Sequence, residues 1–117
     1  MERIVWTTDF LPTGFKGYFR SPWSIDETVG RLAALSGQPI ESGDKTEFDF
    51  SGYWNGEMFN LYDYKADGQI HIGSRLGAYN TEQDGLDIVE FSKDLIAALT
   101  NVTPLPFTYR PTYGSYE

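Results

Sequence analysis

The sequence predicts an α+β domain: an antiparallel sheet, built from an N-terminal hairpin and a three-stranded meander, with two amphipathic helices packed on one face. Three observations predict it. Asn55-Gly56 and Asp67-Gly68 each interrupt alternating apolar and polar residues, and both dipeptides tolerate the positive φ angles of a two-residue type I′ turn. Two longer stretches carry apolar residues at helical spacing between recognisable start and stop signals. A length of 117 residues with 40% hydrophobic and 16% aromatic content supplies one core, and there is no internal repeat.

At the N-terminus, "RIVWTT" and "KGYFR" read as short strands separated by a turn region at Pro12 to Gly14, which makes them a hairpin. In "SPWSIDETVGRLAALSGQP", Ser24 is the N-cap with Glu27 three residues on. Ile25, Val29, Leu32 and Leu35 mark one face, and Gly37 with Pro39 form the stop. Trp23 reads as a hydrophobic staple ahead of that helix, and Trp6 also reads as structural.

If both turns of the meander are two-residue loops, Phe50 faces Leu61, Tyr62 faces Gly73 and Tyr64 faces His71. Phe48, Phe50, Phe59, Leu61, Ile70 and Ile72 then share one side, the core face. The same alternation puts Asp63 and Lys65 on that side, where burying charge is expensive. Either the sheet end is open there, with Asp63 or Lys65 reaching solvent or each other, or a bulge rephases "YDYK".

The second helix is "QDGLDIVEFSKDLIAALTN", with Asp84 and Asp87 in its first turn, Ile88, Phe91, Leu95 and Leu99 on one face and an end near Asn101. Residues 1–103 form the domain. Residues 104–117 form a tail with prolines unsuited to a central strand and aromatics unsuited to a disordered one, so it docks on its own sheet face or on a second subunit.

Composition restricts function. A net charge of -8 with nine Lys and Arg disfavours binding to a nucleic-acid polymer. No apolar run approaches the roughly 20 residues of a membrane span, and "MERIVWTTDF" is not a signal-type leader, so a cytoplasmic location is expected. Without cysteine there is no disulfide, thiolate site or cysteine nucleophile. His71 is the single histidine, which rules out a two-histidine metal site in one chain, and there is no nucleophile elbow or phosphate-binding glycine loop. Neither catalysis nor a cofactor or metal is expected.

The polar face of the meander carries Tyr62, Tyr64, His71, Gly73 and Arg75, and the tail adds Tyr109 and Arg110. Rings stack on purines and guanidinium groups fork onto phosphate oxygens, so this set suits a small nucleotide. Arg75 would be joined by Arg110, Lys65 or Lys16. Each feature also has a structural use: His71 packing against Tyr64, Gly73 covered by Tyr62, arginines paired with the abundant acids.

At "GDKTEFDF", "LYDYK" and "IHIGS", spanning about residues 36 to 75, the chain resembles small phage- and prophage-encoded proteins. In these an Asp-Lys pair, a Phe/Trp-rich strand, a "YDYK" or "YDWK" strand and an "HIG" strand recur in this order. Ser74 departs from the second glycine expected after "HIG". The resemblance implies a counter-defence protein in the host bacterial cytoplasm. One form of that role is similar to the Thoeris anti-defence sponges, which bind a cyclic nucleotide or cyclic ADP-ribose-type immune signal without turnover. Such a pocket favours a homo-oligomer, with the tail of one subunit closing the site of another. The other form is an anti-CRISPR-like protein inhibitor presenting Asp44, Glu47, Asp49, Asp84 and Asp87 to a nuclease's basic groove.

Overall fold

The computed structural model describes residues 3–9, 13–42, 45–75 and 85–110, so Asp44, Asp84 and residues 111–117 lie outside the described residues. The chain is α+β, as expected. Strands β1 (Ile4–Thr7) and β2 (Gly14–Phe19) precede helix α1 (Ile25–Ser36). Strands β3 (Asp49–Trp54), β4 (Glu57–Tyr62) and β5 (Ile70–Ser74) follow, then helix α2 (Ile88–Thr100).

All five strands form one antiparallel sheet in the order β1-β3-β4-β5-β2. The meander is its centre. The expected N-terminal hairpin does not form: β1 pairs with β3 and β2 with β5, at opposite edges of the sheet. A β1–β2 hairpin added at one side would leave the other outer edge of the meander bare, whereas the observed order covers each of them.

The expected core face is buried throughout, with Phe48, Phe50, Phe59, Leu61 and Ile72 fully enclosed and Ile70 nearly so. Both helices pack on this side. Phe91 of α2 lies 4.7 Å from the Phe59 ring and 6.0 Å from that of Trp54, between centroids. Val29, Leu32 and Ala33 of α1 join the same cluster.

Ser24 caps α1, accepting from the Glu27 amide at 3.2 Å, and Gly37 ends it in the left-handed region at φ 69°. Asp87 caps α2, accepting from the Val89 and Glu90 amides. The C-terminal carbonyls of α2 are met from the neighbouring helix. Arg31 of α1 donates to the Leu99 and Val102 carbonyls at 2.9 Å each, while its Nε bonds Glu27 and its guanidinium lies 4.5 Å from the Trp23 ring.

The tail, through residue 110, belongs to the domain. The Leu105 amide donates to the Gly30 carbonyl at 3.0 Å, and a Cβ on Gly30 would sit 2.2 Å from the Leu105 carbonyl oxygen. Only glycine lets the tail backbone lie this close to α1. Further on, the Tyr109 amide donates to Asp26, and its ring is buried against Phe48.

The first meander turn is the two-residue loop expected, with Asn55 at φ 49° and Gly56 at φ 85°. The second is not. Tyr62 faces His71 and Asn60 faces Gly73, a slip of two residues from a two-residue loop at Asp67-Gly68. A shift of two preserves the faces, so the core survived the error. The tight turn instead lies at Lys65 and Ala66, both at φ 52°, closed by an Asp67 amide to Tyr64 carbonyl bond at 3.2 Å.

The reason is Asp63, which is 0% exposed rather than at an open sheet end. Its carboxylate accepts from the Glu47 amide at 2.6 Å, the Phe48 amide at 3.4 Å and the Tyr109 hydroxyl at 2.7 Å. A buried carboxylate is tolerable only with donors of this kind, and the ladder breaks after Tyr62 so that it meets them.

Candidate ligand-binding face

The helices cover one side of the sheet; the other carries two cross-strand rows. Asp49, Tyr62, His71 and Tyr18 form one, from β3 across to β2. Ser51, Asn60, Gly73 and Phe15 form the next. A register shift between Phe15 and Gly17 brings Phe15 and Tyr18 to this same side although they are three residues apart.

His71 is the centre of an aromatic cluster. Its ring lies 5.1 Å from Tyr18, 5.1 Å from Tyr62, 5.5 Å from Phe15 and 6.5 Å from Tyr64. The contacts with Tyr18 and Phe15 are edge-to-face, the arrangement the ring quadrupoles favour. His71 itself is only 8% exposed, and its Nε2 is 2.7 Å from Asp67 Oδ2. Phe15 at 43% and Tyr64 at 46% exposure are the rings presented to solvent.

A polar network lies beside the cluster on the same face. Asn60, 8% exposed, accepts from the Thr13 hydroxyl at 3.4 Å and donates through Nδ2 to Asp49, Ser51 and the Phe50 carbonyl. Desolvation raises the Asp49 carboxyl above the ordinary carboxylate range, outweighing the hydrogen bonds from Asn60 and Ser51, and the nearby Asp63 charge adds to it. Burial also raises the Tyr62 hydroxyl, with the charges of Asp49 and Asp67 adding to the effect. Asp67 organises the loop: its Oδ1 accepts from the Tyr64 and Gln69 amides while Oδ2 holds His71.

Of the expected site residues, Tyr62, Tyr64 and His71 are brought together. Gly73 lies beside them in the next row, and Arg75, Tyr109 and Arg110 lie elsewhere. Gly73 is buried, and a Cβ there would meet Thr13 Oγ1 at 2.6 Å and Tyr62 Cε1 at 3.3 Å, so its bare backbone is covered rather than offered to a ligand. Arg75 is exposed at the far end of β5, four residues from His71, or about 13 Å along an extended strand.

Tyr109 lies on the helix side of the sheet. Burial first, and then the bond to Asp63, raise its hydroxyl well above the usual phenol range. It accepts from the Gly68 amide at 3.1 Å while donating to Asp63, so it ties both ends of the β4–β5 loop from below instead of touching the aromatic face. Arg110 follows it, exposed, beside the first turn of α1.

The residues missed were Phe15, Tyr18 and Arg20, all on or beside β2. Arg20 places its guanidinium 5.8 Å from the Tyr18 ring centroid, and Lys65 places its ammonium 5.5 Å from that of Tyr64. The signal was present in "GFKGYFR", whose three aromatics in five residues mark a strand. Its partner strand was misassigned because no turn dipeptide links β2 to β5.

The chain matches no protein-family model, no curated protein and no solved structure. Among the described residues there is no group of three metal-ligating side chains, and no helix is long and apolar enough to cross a membrane.

Proposed function

We propose that the protein is a non-catalytic binding module whose helix-free sheet face holds a small nucleotide-type ligand, with a base lying on the Phe15 and Tyr64 rings. The observation that carries this reading is the placement of two solvent-exposed rings against His71, which is held by Asp67 at 2.7 Å. A preordered aromatic platform loses little conformational entropy on binding, and stacking contributes roughly 1–3 kcal/mol per base. Together with the phage resemblance of residues 36 to 75, the reading becomes sequestration of a cyclic nucleotide or cyclic ADP-ribose-type immune signal in the host cytoplasm.

The tail packs on its own chain as far as residue 110, so closure of one subunit's site by another's tail is not part of this reading. The inhibitor alternative is favoured by the net charge of -8, but among the described acids Asp87 serves as a helix cap and Asp49 as the partner of Asn60.

The test is thermal unfolding against cyclic dinucleotides, cyclic trinucleotides and cyclic ADP-ribose isomers. A ligand at about 1,000 times its Kd should stabilise the fold by roughly 4 kcal/mol, a shift of many degrees in Tm. Tyr64→Ala should abolish the shift while leaving the unliganded melt nearly unchanged. No shift with any compound, or an undiminished shift in the variant, counts against the proposal.

A further inference from the structure

Beside the aromatic cluster, where β2 leaves the sheet, lies a hollow of about 190 Å³. Its walls include Tyr18, Arg20, Ser21, Trp23, Thr28 and Gln69. Tyr18 belongs to both the hollow and the aromatic row, so the two adjoin. The volume is far above the roughly 10–15 Å³ that admits one water, which leaves room for a tetrahedral oxyanion. We propose that this hollow takes a phosphoryl group, held by Arg20.

Charge supports an anion here in spite of the acidic chain. Arg20 has no carboxylate or hydrogen-bond partner among the described residues, only the Tyr18 face. Arg3, Arg31 and Lys93 are each paired with an acid. The carboxylates closest in sequence to the hollow's walls are already engaged: Asp26 by the Tyr109 amide, Glu27 by Arg31 and Asp67 by His71. The wall hydroxyls are likewise satisfied and rigid, with Ser21 Oγ 2.6 Å from Thr28 Oγ1 and Thr28 donating to the Ser24 carbonyl at 2.7 Å. The Tyr18 ring lies 5.8 Å from the guanidinium, and the guanidinium fork matches phosphoryl oxygens.

This inference rests on the nucleotide reading for the identity of the whole ligand, but the anion site stands by itself in the test. Backbone amide shifts are followed by NMR while inorganic phosphate, pyrophosphate or acetate is added, and separately adenosine or guanosine. The expected result is a saturable response of Arg20, Ser21 and Gln69 to phosphate and pyrophosphate. It should be weakened roughly tenfold by Arg20→Gln and by Gln69→Leu, and retained in Tyr64→Ala. Absence of a saturable response, an equal response to acetate, or indifference to both wall substitutions overturns the proposal. Nucleosides moving the Phe15 and Tyr64 signals without any phosphate response would sink the phosphoryl site and leave the platform standing. A phosphate response without a nucleoside response would do the reverse.

Discussion

Replacing Tyr109 with Phe removes one oxygen atom from a ring that is 7% exposed, and its cost can be worked from two hydrogen bonds. The first is the 2.7 Å bond from the hydroxyl to the fully buried Asp63 carboxylate. Losing a bond of this charged, desolvated type costs roughly 1.5–3 kcal/mol. The second, from the Gly68 amide at 3.1 Å, lies at an exposed residue, where water replaces the phenol at little cost. The ring still packs on Phe48, so the expected loss is about 2 kcal/mol. With a urea m-value of about 1.5 kcal/mol/M, the midpoint should fall by about 1.3 M at constant m.

The pH dependence provides a second readout. The native state keeps the Tyr109 proton while the unfolded chain releases it near pH 10, so the native state binds more protons and alkali destabilises the wild type. The Phe variant lacks this group, and all other titrations cancel in the comparison. The gap should therefore narrow by about 1 kcal/mol between pH 10 and pH 11. A midpoint change under about 0.3 M, or a gap that stays constant to pH 11, would refute the assignment of Tyr109 as the latch on Asp63.

Three other substitutions test separate parts of the fold. Gly30→Ala gains about 1 kcal/mol of helix propensity but drives a methyl into the Leu105 carbonyl, so melting should fall by several degrees and proteolysis should cut the tail sooner. Lys65→Asn relieves part of the strain of a left-handed residue at φ 52° and should raise the urea-derived stability by about 0.5–1 kcal/mol. Asp49→Asn keeps the acceptor for Asn60 and removes a charge that burial disfavours. It should be slightly more stable than wild type at pH 7, with the advantage disappearing toward pH 3, where the native carboxyl is protonated anyway.

Local chemistry made much of the fold legible. Ser24, Gly37 and Asp87 each acted through a neighbour within four residues, and Asn55-Gly56 set the β3–β4 register unaided. The failures all involved distant partners. Nothing near Asp63 shows that Tyr109, 46 residues on, donates to it, and that bond is part of what breaks the second hairpin after Tyr62. Once that loop was misread, Tyr62 was set against Gly73 instead of His71. Only the two-residue size of the slip kept the aromatic side intact. Half the ligand face was illegible for a related reason: Phe15 and Tyr18 reach His71 through a strand pairing separated by more than fifty residues.

The placement of β1 and β2 has a consequence for how the protein comes into being. Two strands adjacent in the chain occupy opposite borders of the sheet, four interstrand spacings or about 19 Å apart. As the polypeptide is synthesised, residues 4–19 emerge well before their partners at Ser51–Trp54 and Ile70–Ser74. These two strands must wait for the meander and then close both borders, a long-range step of the kind that slows folding. Until they do, or if those residues are cut away, the meander has two raw edges open to strands of other chains.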